Sequence, residues 1–226
     1  MSEIIINKVI RRLINEINDM VENFKTITLT KKTESTKNKP LMIIGPSAVG
    51  KDTMINKLQK QYPEIIYKLP SYTTRLIRKN EKEGFDYYFV TKEKFFKMKD
   101  EGKLFGIQEY NNNYYASSKA KLNEALKNKN KIIVLNYNIE TANAVKDELE
   151  FNYVALLPPC ENELRKRLIK RGTKEDEIEK RMNNSIREIK LINEANYIDF
   201  ILVNDKEEET YNKLVNHLKE IYSQIR

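Results

Sequence analysis

One short segment constrains the fold of this chain more than any other feature of its sequence. A wholly apolar run, Leu41 to Ile44, is followed directly by Gly45, Pro46, Ser47, Ala48, Val49, Gly50, Lys51, Asp52 and Thr53. An apolar run of this length suits a parallel strand that is buried on both faces. The pattern G-x-x-x-x-G-K after such a strand is typical of a loop whose backbone N–H groups and lysine bind phosphates at the start of a helix. The segment therefore predicts a strand, a phosphate-binding loop and a helix, in that order.

Apolar runs alternate with amphipathic stretches along the rest of the chain. Short apolar runs predict strands at 132–135, 153–157 and 200–203. Apolar residues at helical spacing predict helices around 52–61, 119–128, 141–149, 161–171, 175–195 and 207–224. Strands that alternate with helices indicate a three-layer α/β fold with a central parallel sheet. The 226 residues are enough for one such domain with a small appendage.

The N-terminal segment has a different character from the rest. Apolar residues recur at helical spacing from Ile6 to Phe24, and a polar stretch from Thr30 to Pro40 follows them. This pattern predicts a helical extension and linker over residues 1–40. The apolar stripe favours packing on the domain or on a second copy of the chain, so self-association through this helix is one of its two expected roles. Acidic residues on the helix disfavour a membrane surface.

Scarce residues exclude several classes of site. The chain has 1 His and 1 Cys, so zinc sites built from Cys and His and disulfide frameworks are excluded. No apolar run approaches the roughly 20 residues of a membrane span, and the N-terminus lacks a signal-peptide pattern. The sequence therefore predicts a soluble, cytoplasmic protein with no membrane partner.

The positive charge is concentrated in two places. Lys and Arg number 41 against 33 Asp and Glu, a formal net charge of +8. Residues 1–40 carry a net +3 and residues 165–187 a net +5, so the remainder of the chain is neutral overall. No nucleic-acid recognition motif accompanies this charge. The distribution favours phosphate chemistry on small molecules over binding to nucleic acid.

More specific motifs follow the phosphate loop. Ser71-Tyr72-Thr73-Thr74-Arg75-Leu76-Ile77-Arg78 precedes Glu81 and Gly84-Phe85-Asp86-Tyr87-Tyr88-Phe89-Val90. Later matches are Asn113-Tyr114-Tyr115, Pro158-Pro159, Arg167 to Thr173, Lys180-Arg181 and Val203-Asn204-Asp205. In this order they resemble the guanylate kinase family, from about Leu41 to the C-terminus. The resemblance implies a P-loop nucleoside monophosphate kinase that uses ATP with Mg²⁺ and has small-molecule nucleotides as its partners.

The resemblance also implies how the chain is divided. Residues 41–226 would form a guanylate-kinase-like domain. Its core would comprise 41–70, 119–160 and 188–226, its acceptor-binding subdomain 71–118, and its helical lid 161–187.

The same resemblance implies roles for individual residues. The donor ATP would be bound by the phosphate loop at Gly45, Ser47, Ala48, Val49, Gly50, Lys51, Asp52 and Thr53, and by Asn204 near the adenine. The acceptor would be bound by Ser71, Arg75, Arg78, Tyr87, Tyr115, Ser117 and Asn138. The catalytic set would be Lys51, Arg75, Arg167, Arg171 and Arg181. Guanidinium forks match phosphate oxygens in pairs, which suits these arginines to phosphoryl transfer.

Three positions depart from the family pattern. The family's base-reading Glu aligns with Gly106, and Glu109 nearby would point to the other face of a strand. The family's D-x-D is here Asn136-Tyr137-Asn138, so two carboxylates have become amides. Asp52 stands where a Ser or Thr hydroxyl usually contacts Mg²⁺. We therefore expect altered acceptor fidelity, with Asp52 as the candidate metal ligand that compensates for Asn136.

Three functions remain open at this point. The first is transfer of a phosphoryl group from ATP to GMP. The second is a kinase for another phosphorylated acceptor, such as another nucleotide or ribose 1,5-bisphosphate, because ribose 1,5-bisphosphate kinases share this fold and the pattern G-K-D-S/T. The third is a weakly active guanylate-kinase-like module that binds partners, although such modules generally lose the lysine that is present here as Lys51.

Overall fold

A computed structural model describes residues 39–78, 81–110 and 112–225. The predicted N-terminal helix, and with it the predicted self-association, lies outside the described residues. In chain order the elements are β1 (Leu41–Ile44), α1 (Lys51–Gln61), β2 (Ile66–Lys68), β3 (Ser71–Thr73), β4 (Tyr87–Phe89), α2 (Lys92–Asp100), β5 (Leu104–Tyr110), β6 (Asn113–Ser118), α3 (Lys119–Lys127), β7 (Ile132–Tyr137), α4 (Ile139–Val145), β8 (Asn152–Leu157), α5 (Glu161–Lys170), α6 (Glu175–Glu194), β9 (Phe200–Val203) and α7 (Glu207–Ile221).

Five parallel strands form the central sheet, in the order β2-β7-β1-β8-β9. The strand before the phosphate loop lies in the middle, where Leu41 pairs with Val134 on one side and Asn152 on the other. The sequence prediction of an α/β fold with a parallel sheet is confirmed. Strand β2 was not predicted, because its three residues include the exposed Tyr67 and give no apolar run.

Alternation along β1 produces the three layers. Successive side chains of a strand point to opposite faces. Leu41 and Ile43 face a core that includes residues of α1 and α7, whereas Met42 and Ile44 face a second core that includes residues of α3, α4 and α6. All four residues are buried, as the wholly apolar run predicts. The phosphate loop is thereby fixed at the carboxyl end of a strand that is buried at every position.

A smaller sheet and helix α2 form the region predicted to bind the acceptor. Its strand order is β4-β3-β6-β5, with β3 and β4 parallel and the other pairs antiparallel. Phe95 of α2 packs with Leu104 and Ala116 in a separate apolar cluster. The register of β5 on β6 shifts between Phe105 and Gln108, which marks a β-bulge.

Helices α5 and α6 pack on each other and carry a small core of their own. Leu164, Leu168, Ile178 and Met182 form this cluster, and Ala48 of the phosphate loop packs against it. The two helices therefore lie beside the phosphate loop, within the segment predicted to be the lid. No helix in the described part of the chain has the length and apolarity needed to cross a membrane.

Candidate active site

The phosphate loop needs glycine at two of its turns. Gly45 has φ +145° and Gly50 has φ +109°, both outside the range that side chains favour. A Cβ on Gly45 would lie 2.2 Å from the Leu156 carbonyl oxygen, and one on Gly50 would lie 2.5 Å from Asn204 Nδ2. Ala48 also adopts a left-handed conformation, with φ +62°. The backbone is therefore bent tightly along the loop, which turns its N–H groups toward a common centre.

Lys51 lies at the centre of this loop. Its Nζ donates to the carbonyl oxygens of Gly45, at 2.5 Å, and Pro46, at 3.0 Å. Burial lowers the pKa of Lys51, while the carboxylates of Glu188 and Asp52 act in the opposite direction. The ammonium group is thus held inside the curl of the loop, where a phosphate would meet it.

A cavity of 360 Å³ joins this loop to the smaller sheet and to α5 and α6. Beyond the loop residues Gly45 to Thr53, its lining includes Arg75, Arg78, Tyr87, Gln108, Tyr110, Tyr115, Asn136, Tyr137, Asn138, Arg167, Arg171, Arg181 and Glu188. The fold thus brings together most of the residues that the sequence predicts for the site. Three of them, Ser71, Ser117 and Asn204, lie outside the lining.

Arg75 and Glu81 form a rigid pair on one wall. The guanidinium donates to both carboxylate oxygens of Glu81, at 2.5 and 2.6 Å, and lies 4.8 Å from the centre of the Tyr87 ring. Glu81 also accepts from the backbone N–H of Arg78, at 2.9 Å. Planar bidentate pairs fix a guanidinium in orientation as well as position. Glu81 therefore holds the side chain of Arg75 and the backbone of Arg78 in place.

Positive charge is crowded between this wall and α5. Burial and the nearby guanidinium groups of Arg75 and Arg171 lower the pKa of Arg78. Burial raises the pKa of Tyr87, so its hydroxyl stays protonated at neutral pH and is able to donate a hydrogen bond. Tyr115 meets Tyr87 edge to face, with ring centres 6.0 Å apart. These cations and hydroxyl donors together favour a multiply charged anion.

The arginines of α5 and α6 approach the loop from the opposite side. Arg167 donates to the Asn204 carbonyl at 2.7 Å and to the Val49 carbonyl at 3.3 Å. Arg181 donates to Glu177 at 2.8 Å and lies over the ring of Tyr110. Three of the nine Lys and Arg residues in the segment predicted to be the lid, Arg167, Arg171 and Arg181, therefore line the cavity.

Asn204 supports the phosphate loop from behind. It is buried, and its Nδ2 donates to the Val49 carbonyl at 2.8 Å. Its Oδ1 is buried without a hydrogen-bond partner. The side chain contacts the loop backbone, and this explains why a Cβ on Gly50 would clash with it.

Asp52 and Asn136 form a hydrogen bond near the carboxyl end of strand β7. Asn136 Nδ2 donates to Asp52 Oδ1 at 2.9 Å, and the buried Lys68 lies 3.7 Å from the same oxygen. The Asp52 side chain is 49% exposed. The structure thus puts a carboxylate, supplied by α1, beside the position where the family pattern has one on β7.

The ring of Tyr137 explains why position 106 is a glycine. Gly106 has φ +63°, and a Cβ on it would lie 2.6 Å from the Tyr137 ring. That ring is buried, and its hydroxyl is 2.7 Å from Ser117 Oγ, which in turn lies 3.2 Å from Ser71 Oγ. Of the two serines that were predicted to bind the acceptor, Ser117 is therefore hydrogen-bonded to this buried group, and Ser71 is hydrogen-bonded to Ser117. Tyr137 occupies the space into which a side chain at position 106 would project.

Gln108 and Glu188 are among the residues of the cavity that were not assigned from the sequence. Gln108 faces the cavity because the bulge at Gly106 shifts the alternation of β5, whereas Glu109 is exposed. Glu188 lies on the buried stripe of α6, which runs through Ile178, Met182, Ser185, Glu188 and Ile192. Burial raises the pKa of Glu188 to about 7, and one of its oxygens has no hydrogen-bond partner. A carboxylate on an apolar helix stripe was the signal that could have identified it.

Comparison with known proteins agrees with this geometry. The model of the family described as guanylate kinase matches residues 37–221. A guanylate kinase of Schizosaccharomyces pombe is 34% identical over 189 residues, which cover 83% of this chain and 93% of that protein. Guanylate kinase 1 of Oryza sativa is 36% identical over 178 residues, 78% of this chain but 46% of that protein. The chain therefore spans about half the length of this plant relative.

A solved structure gives the same result. The crystal structure of guanylate kinase from Anaplasma phagocytophilum superposes with a TM-score of 0.65 at 26% identity, over 85% of this chain and 89% of that chain. This chain belongs to the guanylate kinase family.

Proposed function

We propose that this chain is a nucleoside monophosphate kinase that transfers the γ-phosphoryl group of ATP to GMP, giving ADP and GDP. The observation that carries the proposal is a single cavity with a phosphate loop on one side and a guanidinium–tyrosine cluster on the other. Two phosphate-binding surfaces that face one cavity suit a reaction between two bound phosphates. The proposed substrates belong to the intracellular nucleotide pool, which supports the expectation of a cytoplasmic location.

Phosphoryl transfer needs positioning and charge neutralisation more than covalent chemistry. On the donor side we assign the phosphates to the backbone N–H groups of the loop, to Lys51 and to the arginines of the lid (residues 161–187). Arg167 suits this role because its donors already bind the backbone of Val49 and Asn204, which fixes its head group beside the loop. Asn204 would then act on the donor through the loop that it supports, in addition to its predicted place near the adenine.

On the acceptor side we assign the monophosphate to Arg75, Arg78, Tyr87 and Tyr115. The bidentate contact with Glu81 holds the Arg75 guanidinium in place before the acceptor arrives. Preorganised donors of this kind avoid reorganisation at the moment of reaction. A closed lid over both substrates would exclude water and so favour transfer over hydrolysis.

The residues near the loop fit a magnesium ion that is held mainly by its substrate. Mg²⁺ in kinases keeps several waters and is bound by one or two carboxylates together with phosphates. Asp52 supplies one half-exposed carboxylate beside the loop, and the described residues contain no group of three or more Asp, Glu, His or Cys side chains that could hold a metal by themselves. Asp52 is the residue that we propose as a ligand, and the ion would supply further neutralisation of phosphate charge.

The function is tested by a coupled assay of ADP release with ATP, Mg²⁺ and GMP. We expect GMP-dependent release, and a loss of roughly a hundredfold or more in kcat for Lys51→Ala. Lys60→Ala is the matched control, because Lys60 is an exposed lysine on the same helix. Turnover with ribose 1,5-bisphosphate but not with GMP would show a sugar phosphate kinase instead. Nucleotide binding without turnover on any acceptor would show an interaction module.

The role of Asp52 has its own test. Asp52→Ala should raise the Mg²⁺ concentration that gives half-maximal activity, since it removes the carboxylate beside the loop. Asn56→Ala, a change at an exposed position of the same helix outside the lining of the cavity, should leave that concentration at the wild-type value. Full activity of Asp52→Ala with an unchanged Mg²⁺ dependence would refute the assignment.

A further inference from the structure

Thr141, at the start of α4, holds two side-chain amides in defined orientations. Its backbone N–H donates to Asn138 Oδ1 at 2.9 Å, and its hydroxyl donates to Gln108 Oε1 at 2.9 Å. A backbone N–H is able only to donate, so the Asn138 atom that faces it is the carbonyl oxygen. Thr141 itself is buried. One residue therefore occupies the acceptor atoms of both amides.

Both amides line the cavity, and with their oxygens turned toward Thr141 the atoms on the other side of each amide are the NH₂ donors. Gln108 has its Nε2 hydrogens left, because its oxygen is engaged by Thr141. Asn138 Nδ2 makes one long contact of 3.4 Å to Glu140, which leaves its second hydrogen. Glu140 is paired with Arg187 at 2.6 Å. This wall therefore offers N–H donors to whatever lies against it.

The position of Gln108 places this wall beside the proposed site for the acceptor's phosphate. In the smaller sheet, Gln108 is the direct cross-strand partner of Tyr115. Directly opposed residues of an antiparallel pair lie about 5 Å apart. A nucleoside monophosphate whose phosphate contacts Tyr115 and Arg78 would therefore have its nucleoside near Gln108 and Asn138.

A carboxylate that accepts from the base has no room at position 106. The ring of Tyr137 fills the space beside Gly106, and the positive φ there disfavours any side chain. Of the carboxylates that line the cavity, Asp52 is paired with Asn136 and Lys68, and Glu188 lies near Lys51. Among the polar groups of the lining that remain for the base are the amides of Gln108 and Asn138, with the unpartnered hydroxyl of Tyr110 near Gln108 in the chain.

We propose, on the basis of the function assigned above, that Gln108 and Asn138 read the acceptor base by donating hydrogen bonds to it, so that the site accepts 6-oxopurine nucleoside monophosphates as a class. Guanine presents two acceptors, O6 and N7, on one edge, whereas adenine presents a donor, the N6 amino group, beside N7. A donor wall matches the first edge and leaves donors unpaired against the second, which costs binding free energy. The 2-amino group of guanine is not read, so IMP, which lacks it, should bind as GMP does.

The test is direct binding of GMP, IMP and AMP to the full chain by isothermal titration calorimetry. We expect dissociation constants for GMP and IMP within about threefold of each other, and AMP binding at least about tenfold more weakly. GMP binding more than about tenfold tighter than IMP would overturn the proposal, because the 2-amino group would then be read. AMP binding within about threefold of GMP would overturn it as well.

Two variants test the orientation of Gln108. Thr141→Val keeps the backbone N–H and the shape but removes the hydroxyl, so the Gln108 amide is free to turn its oxygen toward the base. We expect the preference for GMP over AMP to fall at least about fivefold in this variant and to persist in Thr141→Ser, which keeps the hydroxyl. An unchanged preference in Thr141→Val would overturn the role of Gln108.

Gln108→Met gives a second route that leaves the helix start intact. It removes the amide, and we expect it to weaken GMP and IMP by the same factor. Weakening of neither nucleotide would contradict the proposal. The binding constants test how the base is read even if the coupled assay shows no phosphoryl transfer. An absence of transfer in the coupled assay would refute the proposed function alone.

Discussion

Replacing Gly106 with alanine should lower the free energy of unfolding by roughly 2–5 kcal/mol, and the structure divides this cost into two parts. The left-handed conformation at φ +63° costs an L-residue about 1–2 kcal/mol. The added Cβ would also lie 2.6 Å from the Tyr137 ring, and forcing extra atoms into a well-packed site typically costs about 1–3 kcal/mol. The ring is unable to move away freely, because it is buried and its hydroxyl is hydrogen-bonded to Ser117.

A double-mutant cycle with Tyr137 separates these two parts. Tyr137→Leu removes the ring atoms that the new Cβ would meet, so in that background Gly106→Ala should retain only the conformational cost. Tyr137→Phe is the matched control, since it removes the hydroxyl but keeps the ring, and the cost of Gly106→Ala should stay high. The expected coupling free energy with Tyr137→Leu is about 1–3 kcal/mol, the size of the overpacking cost.

Urea denaturation followed by circular dichroism measures each free energy of unfolding, with the slope against urea concentration as a check that all variants unfold in the same way. An equal cost of Gly106→Ala in the wild-type and Tyr137→Leu backgrounds would refute the reasoning. The steric explanation for the glycine would then be wrong, and with it the view that Tyr137 excludes a side chain from position 106.

Three further predictions concern stability. Burial lowers the pKa of His217, so the folded state resists protonation while the unfolded state does not. The free energy of unfolding should therefore fall as the pH drops below about 6.5. It should fall less steeply in His217→Phe, which keeps the stacking on Phe200. The contribution of Glu188 to stability depends on pH in the opposite sense, because burial raises its pKa to about 7. Glu188→Gln should gain stability over the wild type as the pH rises from about 5 to 8, by up to about 3 kcal/mol. A difference in stability that does not depend on pH would refute this. Asn204→Ala removes the hydrogen bond to the Val49 carbonyl and should cost about 1 kcal/mol in urea denaturation, together with a smaller rise in Tm on adding ATP. Asp205→Ala, a change at the exposed next residue, should match the wild type in both measurements, and equal behaviour of the two variants would contradict the role of Asn204.

The sequence predicts best those elements whose structure is determined by their own residues. The run Leu41 to Ile44 is apolar throughout because both faces of β1 are covered, and the glycines that follow permit the bends that the loop needs. Helix α4 was predicted from 141 and begins at Ile139, because the side chain of Asn138 caps it by accepting from the Thr141 backbone. A capping side chain before an apolar stretch is itself a sequence signal.

The parts that sequence did not predict depend on residues far apart in the chain. The conformation of Gly106 is explained by Tyr137, and the side chain of Gln108 enters the cavity only because a bulge at Gly106 shifts the strand. The roles of Asn136 and Asp52 as a hydrogen-bonded pair follow from the approach of two elements that are 84 positions apart. Pattern and spacing describe local structure, so such compensations become visible only when the strands and helices are in place.

The apolar cluster between α5 and α6 has a consequence for the placement of two arginines. Arg167 precedes Leu168 and Arg181 precedes Met182, so each of these two arginines is attached to a residue of that cluster. Helices that share a core keep their mutual geometry, so the two guanidinium groups are placed as one set relative to the phosphate loop, whose Ala48 packs against the same cluster. In the proposed kinase, any displacement of this helix pair would therefore move both charges away from the donor's phosphates together and not one at a time.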